Sequence, residues 1–195
     1  MSFLKTCGVM NTEDIKIVNK YLPDFVDFIF TGKKRKVSFD QAKLLKTKLN
    51  RKIKTVGVFA NESMVNIISL ANKNIIDFVQ LQGDEHSGYI NQLKTLISIP
   101  VIKAITFDDD TDINNLNYKA DYLLINKKDA DNSVNDFVKY CKKKYFLTGD
   151  ITESNILPAL RMNPYCINVD DGVLTDGLID EQKLKTIMNI IKNGT

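Results

Sequence analysis

The chain has 195 residues, 44% apolar and 26% charged, which suits one globular domain with a substantial core over residues 1–195. Its net charge of +3 comes from lysines scattered among acids, which excludes the clustered basic footprint of a nucleic-acid-binding protein, and no apolar run approaches the roughly 20 residues of a membrane helix. Three widely spaced cysteines (Cys7, Cys141 and Cys166) and a single histidine, His86, suit neither a disulfide framework, a zinc site nor a Ser-His-Asp relay; with no secretory signal visible, a reducing cytoplasm is expected.

Short apolar runs recur at residues 3–7, 25–30, 55–60, 76–81, 101–105, 122–125, 145–147 and 166–169. Each is mostly apolar throughout, the pattern of a parallel strand buried on both faces. Helical stripes lie between them. Phe39, Ala42, Leu45 and Leu49 form one, and Met64, Ile67, Ile68 and Ala71 another; Val134, Phe137, Val138 and Cys141, then Leu184, Ile187, Met188 and Ile191, repeat the spacing. Helix starts are expected at Thr12, Ser38 and Thr152, with Pro158 in conflict with a helix beginning at Thr152. The segment 108–116 is the weakest helix. His86, just past the fourth strand, reads as exposed and structural.

Eight strands alternating with eight helical segments predict a single-domain α/β (βα)8 TIM barrel. No Gly-x-Gly-x-x-Gly follows the first strand, which removes the dinucleotide-binding alternative. In a barrel the working residues stand at the C-terminal strand ends. Those ends are Cys7-Gly8, the loop after Phe30, Gln80 to Asp84, Lys103, Asn126, Thr148-Gly149-Asp150 and Asp170-Asp171-Gly172. The basic run Lys33-Lys34-Arg35-Lys36 falls in one of these loops and reads as a solvated surface.

The same ends carry a resemblance. Lys5-Thr6-Cys7-Gly8, Arg35-Lys36-Val37-Ser38, Val56 to Asn61, Val79 to Glu85, Pro100 to Ala104, Tyr145 to Gly149 and Val169 to Gly172 together resemble the phosphoribosylanthranilate isomerase family over essentially the whole chain. The resemblance implies an Amadori rearrangement of N-(5′-phosphoribosyl)anthranilate in tryptophan biosynthesis, with no metal or organic cofactor. A small phosphosugar–anthranilate substrate is the implied partner, bound by a monomer or homodimer. An acid must protonate the ribose ring oxygen, and a base must take the proton from the neighbouring carbon. By resemblance Cys7 is the base, its thiol lowered by Lys5. Arg35 takes the anthranilate carboxylate, Lys5, Gln80, Gly83 and Asn168 line the substrate, and Gly149, Asp150, Asp171 and Gly172 occupy the phosphate loops.

Several positions depart from the family pattern. Asn126 stands where the family has its general-acid aspartate, and an amide has no proton to donate. Gln82 replaces a usual histidine. Asp150, Asp170 and Asp171 place up to three carboxylates where a dianionic phosphate is expected, a repulsion of several kcal/mol at close range. Three expectations follow. One is an active isomerase with a substitute acid from Asp129, Asp131, Asp170 or Asp171. Another is a non-catalytic relative that binds a partner. A third is a changed ligand, with Asp150, Asp170 and Asp171 offering oxygens to a hard cation.

Overall fold

A computed structural model describes residues 2–106, 119–126 and 143–193. The expected helices at 108–116 and around Val134 to Cys141 lie outside them, as do Asp129 and Asp131. Eight parallel strands close into a barrel in chain order: β1 (Phe3–Thr6), β2 (Phe25–Ile29), β3 (Lys54–Phe59), β4 (Phe78–Leu81), β5 (Val101–Thr106), β6 (Tyr122–Asn126), β7 (Tyr145–Thr148) and β8 (Cys166–Val169). Closure is made by β8 against β1, with Lys5 opposite Asn168 and Thr6 opposite Val169. Helices follow the strands: α1 (Thr12–Tyr21), α2 (Phe39–Lys48), α3 (Met64–Asn72), α4 (Ser87–Leu96), α5 (Ile156–Arg161) and α6 (Glu181–Asn193). Between β8 and α6 a two-stranded hairpin, β9 (Leu174–Thr175) with β10 (Leu178–Ile179), turns at Asp176-Gly177. Both turn residues have positive φ, as such tight turns require.

The strand positions agree with the apolar runs to within two residues, because residues buried on both faces are hard to mistake. Helix starts needed correction. The α1 cap is Asn11, whose side chain accepts from the N–H groups of Glu13 and Asp14, so Thr12 is already helical. Ser38 does cap α2, in a reciprocal capping box with Gln41. Thr152 begins a turn rather than a helix, and α5 starts at Ile156. Pro158 therefore falls in the first turn of α5, where its missing N–H has no intrahelical acceptor to lose. His86 is exposed and caps α4, its Nδ1 accepting from Gly88 and Tyr89.

Alternation along the strands makes two cores. Outward side chains such as Leu4, Val26, Val79, Leu81 and Ile167 meet the helix stripes, including Leu184, Ile187, Met188 and Ile191 of α6. Inward side chains of the lower barrel are Phe25, Val56, Val58, Ile102, Leu124, Phe146 and Cys166. Phe146 is fully buried, with ring centroids of Phe25, Tyr122 and Tyr165 at 5.5, 5.6 and 5.7 Å. This aromatic plug fills the interior and leaves the opposite, C-terminal mouth to polar residues. We predict that Phe146→Ala lowers unfolding free energy by about 3–5 kcal/mol in urea denaturation, because the closed strands cannot collapse onto the space left.

Candidate active site

The strand period of two decides which side chains reach the mouth. Lys5 and Cys7 share the inward face of β1 and its continuation, as do Asp27 and Ile29 on β2, Gln80 and Gln82 on β4, and Leu124 and Asn126 on β6. Phe146 and Thr148 on β7, then Asn168 and Asp170 on β8, complete the ring. All of these except Lys5 and Phe146, which lie beneath, line one cavity of about 540 Å³. Its rim is formed by Thr31, Gly32, Lys33 and Lys34 of the loop after β2.

An ion pair lies under this cavity. Lys5 Nζ donates to Asp27 Oδ2 at 2.6 Å, to Asp27 Oδ1 at 2.8 Å and to Gln80 Oε1 at 2.8 Å, so the ammonium is fully saturated. Burial is the largest influence and would lower the Lys5 ammonium, but Asp27, Cys7 and Asp170 together outweigh it and hold the group above the ordinary lysine value. Gln80 lines the cavity, whereas Lys5, expected to meet the substrate, lies beneath it and reaches it only through Asp27 and Gln80. Asp27 was missed, although a lone acid inside the apolar run Phe25 to Phe30 is a signal that a buried partner exists.

Cys7 is placed by its backbone N–H, which donates to Val169 O at 3.1 Å and continues the β1–β8 ladder past the last paired residue. Burial pushes the Cys7 thiol well above the ordinary range, and the carboxylates of Asp170 and Asp27 push it further. Lys5 pulls it down, as expected, without winning. The resting group is therefore a thiol. Beside it, Asp170 Oδ2 accepts from Thr148 Oγ1 at 2.9 Å and Asp170 Oδ1 from Asn168 Nδ2 at 2.9 Å. Asn168 Nδ2 also reaches Thr148 Oγ1 at 2.9 Å. The side-chain carbonyl oxygens of Asn126 and Asn168 are buried and have no partner among the described residues. Each such orphan costs about 1–3 kcal/mol until a donor arrives, so the cavity is built to receive hydroxyl or N–H groups.

A second recess of about 380 Å³ opens between the loops after β7 and β8. It brings together the expected Asp150, Asp171 and Gly172, with Thr152, Ser154 and Lys183. Gly149 stands beside it at φ +122°. Gly172 is compelled here, because a Cβ would lie 2.0 Å from the Ile151 carbonyl oxygen. The three carboxylates do not converge as the sequence suggested. Asp170 faces the central cavity, whereas Asp150 and Asp171 are exposed at the recess, where water reduces a like-charge contact at 4 Å to about 1 kcal/mol. Among the described residues no group of three or more His, Cys, Asp or Glu side chains could hold a metal ion.

Two expected residues take other positions. The Arg35 guanidinium donates to the carbonyls of Gly8 and Gly177 and lies 3.7 Å from Asp14, outside the cavity lining. Backbone acceptors on both sides satisfy it, and the cations that do reach the rim are Lys33 and Lys34, in place of the solvated surface expected of this basic run. Gly83 likewise acts through its backbone: its carbonyl accepts from Lys103 Nζ, and a Cβ would strike Asn61.

A sequence profile of the N-(5′-phosphoribosyl)anthranilate (PRA) isomerase family matches residues 4–190. The chain belongs to this family. An N-(5′-phosphoribosyl)anthranilate isomerase of Lachnoclostridium phytofermentans is 37% identical, with 94% of each chain covered. The phosphoribosyl anthranilate isomerase of Thermus thermophilus has the same fold, with a TM-score of 0.87 at 21% identity and both chains fully covered. A phosphoribosyl anthranilate isomerase solved in complex with reduced 1-(o-carboxyphenylamino)-1-deoxyribulose 5-phosphate matches with a TM-score of 0.87 at 26% identity, covering 98% of this chain and 99% of that one.

The Lys5–Asp27 pair gives a test within this isomerase fold. Lys5→Met leaves a buried carboxylate alone and is expected to cost about 3–5 kcal/mol in urea unfolding, whereas Lys5→Met with Asp27→Leu recovers most of it. Equal losses in the two variants would show that packing, not charge, holds this layer.

Proposed function

We propose that this chain catalyses the Amadori rearrangement of N-(5′-phosphoribosyl)anthranilate in the cytoplasm, as a step of tryptophan biosynthesis. The observation that carries the reading is Cys7, in the family's Lys5-Thr6-Cys7-Gly8 segment, at the mouth of a cavity of about 540 Å³. That volume lies within the range of small-molecule sites. The matched relatives are isomerases, which favours this reading over a non-catalytic binding protein.

The residues then divide the substrate between them. The ribose enters the central cavity, where its hydroxyls supply the donors that the Asn126 and Asn168 carbonyls lack. The anthranilate carboxylate meets the lysines of the rim, Lys33 and Lys34, while Arg35 fastens the loop that carries them. The phosphate occupies the recess beside Gly149 and Gly172, with the hydroxyls of Thr152 and Ser154 and the ammonium of Lys183 available to it. Asp150, Glu153 and Asp171 also line the recess but are exposed, so water weakens their repulsion of the phosphate. Cys7, once deprotonated, takes the proton from the carbon next to the imine formed on ring opening.

Steady-state turnover of freshly prepared N-(5′-phosphoribosyl)anthranilate tests this. Wild type is expected to turn over, and Cys7→Ser to lose about 10²- to 10⁴-fold in kcat, the usual worth of a positioned base. A folded wild type without turnover, or a Cys7→Ser variant at the wild-type rate, would refute it.

A further inference from the structure

Asn126 cannot donate the proton that ring opening needs, so a folded isomerase of this sequence must draw its acid from elsewhere. Cys7 and Asp170 are neighbours across the barrel seam. Thr6 pairs with Val169, the Cys7 N–H continues the ladder to Val169 O, and both side chains face the same cavity. The Asp170 carboxylate acts directly on the Cys7 thiol, raising it above its ordinary range. Thr148 Oγ1 and Asn168 Nδ2 hold the two oxygens of the Asp170 carboxylate at 2.9 Å each, which fixes its place in the cavity wall. Asp171, the neighbouring acid, lines the other recess and does not compete for this place.

From this geometry we infer that Asp170 is the general acid of the site and that it shares one proton with Cys7. The inference rests on the isomerase reading above. The proton balance closes without outside help. In the resting pair the proton is on sulfur and Asp170 is a carboxylate. Transfer from sulfur to carboxylate gives a thiolate and a carboxylic acid together. Asp170 then protonates the ring oxygen as the C1′–O bond breaks, leaving a protonated imine and a carboxylate. The Cys7 thiolate takes the C2′ proton, and the electron pair of that C–H bond forms the C1′–C2′ double bond of an enolamine. The enolamine becomes the ketone by moving its hydroxyl proton to C1′, and the enzyme is left as thiol and carboxylate, its starting state.

Other charged groups around the pair fit this scheme. Lys5 lies beneath and favours the thiolate, Asp27 opposes it, and Lys33 and Lys34 stand at the rim. Because burial raises the thiol, the productive arrangement is the minor one in the free protein, and closure of the cavity by substrate is what must favour it.

The test compares wild type, Asp170→Asn, Asp170→Ser and Asp170→Asn with Asn126→Asp, all checked for folding by circular dichroism. Turnover and affinity for reduced 1-(o-carboxyphenylamino)-1-deoxyribulose 5-phosphate are read on each. Asp170→Asn and Asp170→Ser are expected to lose about 10²- to 10⁴-fold in kcat while binding the analogue within about threefold of wild type. Restoring the family's aspartate at Asn126 in the Asp170→Asn background is expected to recover at least about tenfold in kcat. Turnover of either single variant within about threefold of wild type overturns the inference. So does an inactive Asp170→Asn that binds the analogue normally and gains nothing from Asn126→Asp. If the wild type itself is inactive, the isomerase reading fails first, and this inference fails with it.

Discussion

The layout of the site depends on one buried ion pair. Lys5 and Asp27 lie inside the barrel, each almost without solvent contact, and the ammonium spends its donors on both carboxylate oxygens and on Gln80. Neither charge could remain there alone. The pair binds β1, β2 and β4 to one another directly beneath the cavity, and it acts on Cys7, just past the end of β1. Lys5 lowers the thiol while Asp27 raises it, so the electrostatic setting of Cys7 is built into the wall of the barrel rather than into a mobile loop.

A division of labour along the barrel axis follows from that layer. Below it the interior is aromatic and aliphatic, with Phe25, Phe78, Tyr122, Phe146 and Tyr165 in mutual ring contact. Above it the inward positions are amide, hydroxyl, thiol and carboxylate. Stability is concentrated at one end, where close packing is cheap to satisfy, and reactivity at the other, where two amide carbonyls remain unsatisfied among the described residues. That arrangement lets the loops change without loss of fold, and it explains how Asn126, Asp150 and Asp171 can depart from the family pattern on an intact barrel.

Much of this was legible in the sequence. The strands were, because runs such as Phe25 to Phe30 are apolar on both faces, and so was the mouth, because Cys7, Gln80, Asn126 and Asn168 stand at or near the C-terminal ends of their strands. The Lys5–Asp27 bond was not, since it joins strands 22 residues apart, although each is the only charge in its run. Arg35 was misplaced for a related reason. Its acceptors are main-chain carbonyls of Gly8 and Gly177, and no residue type in the sequence advertises a carbonyl that is free to accept. Lys33 and Lys34 were undervalued because a basic run looks the same whether it faces bulk water or the rim of a cavity. The three aspartates looked self-defeating in sequence because all of them fall at the family's phosphate-loop positions. A strand end instead sends Asp170 inward and Asp171 outward.

The central claim is that substrate bridges the two openings, with its reacting carbon against Cys7 and its ring oxygen end against Asp170. A crystal structure of the chain with reduced 1-(o-carboxyphenylamino)-1-deoxyribulose 5-phosphate tests it most directly. The account predicts the phosphate in the recess beside Gly149 and Gly172, the carbon derived from C2′ about 3.5 Å from Cys7 Sγ, and an oxygen of the opened sugar in hydrogen-bond contact with Asp170. A ligand whose phosphate lies elsewhere, or whose reacting carbon is out of reach of Cys7, would contradict it.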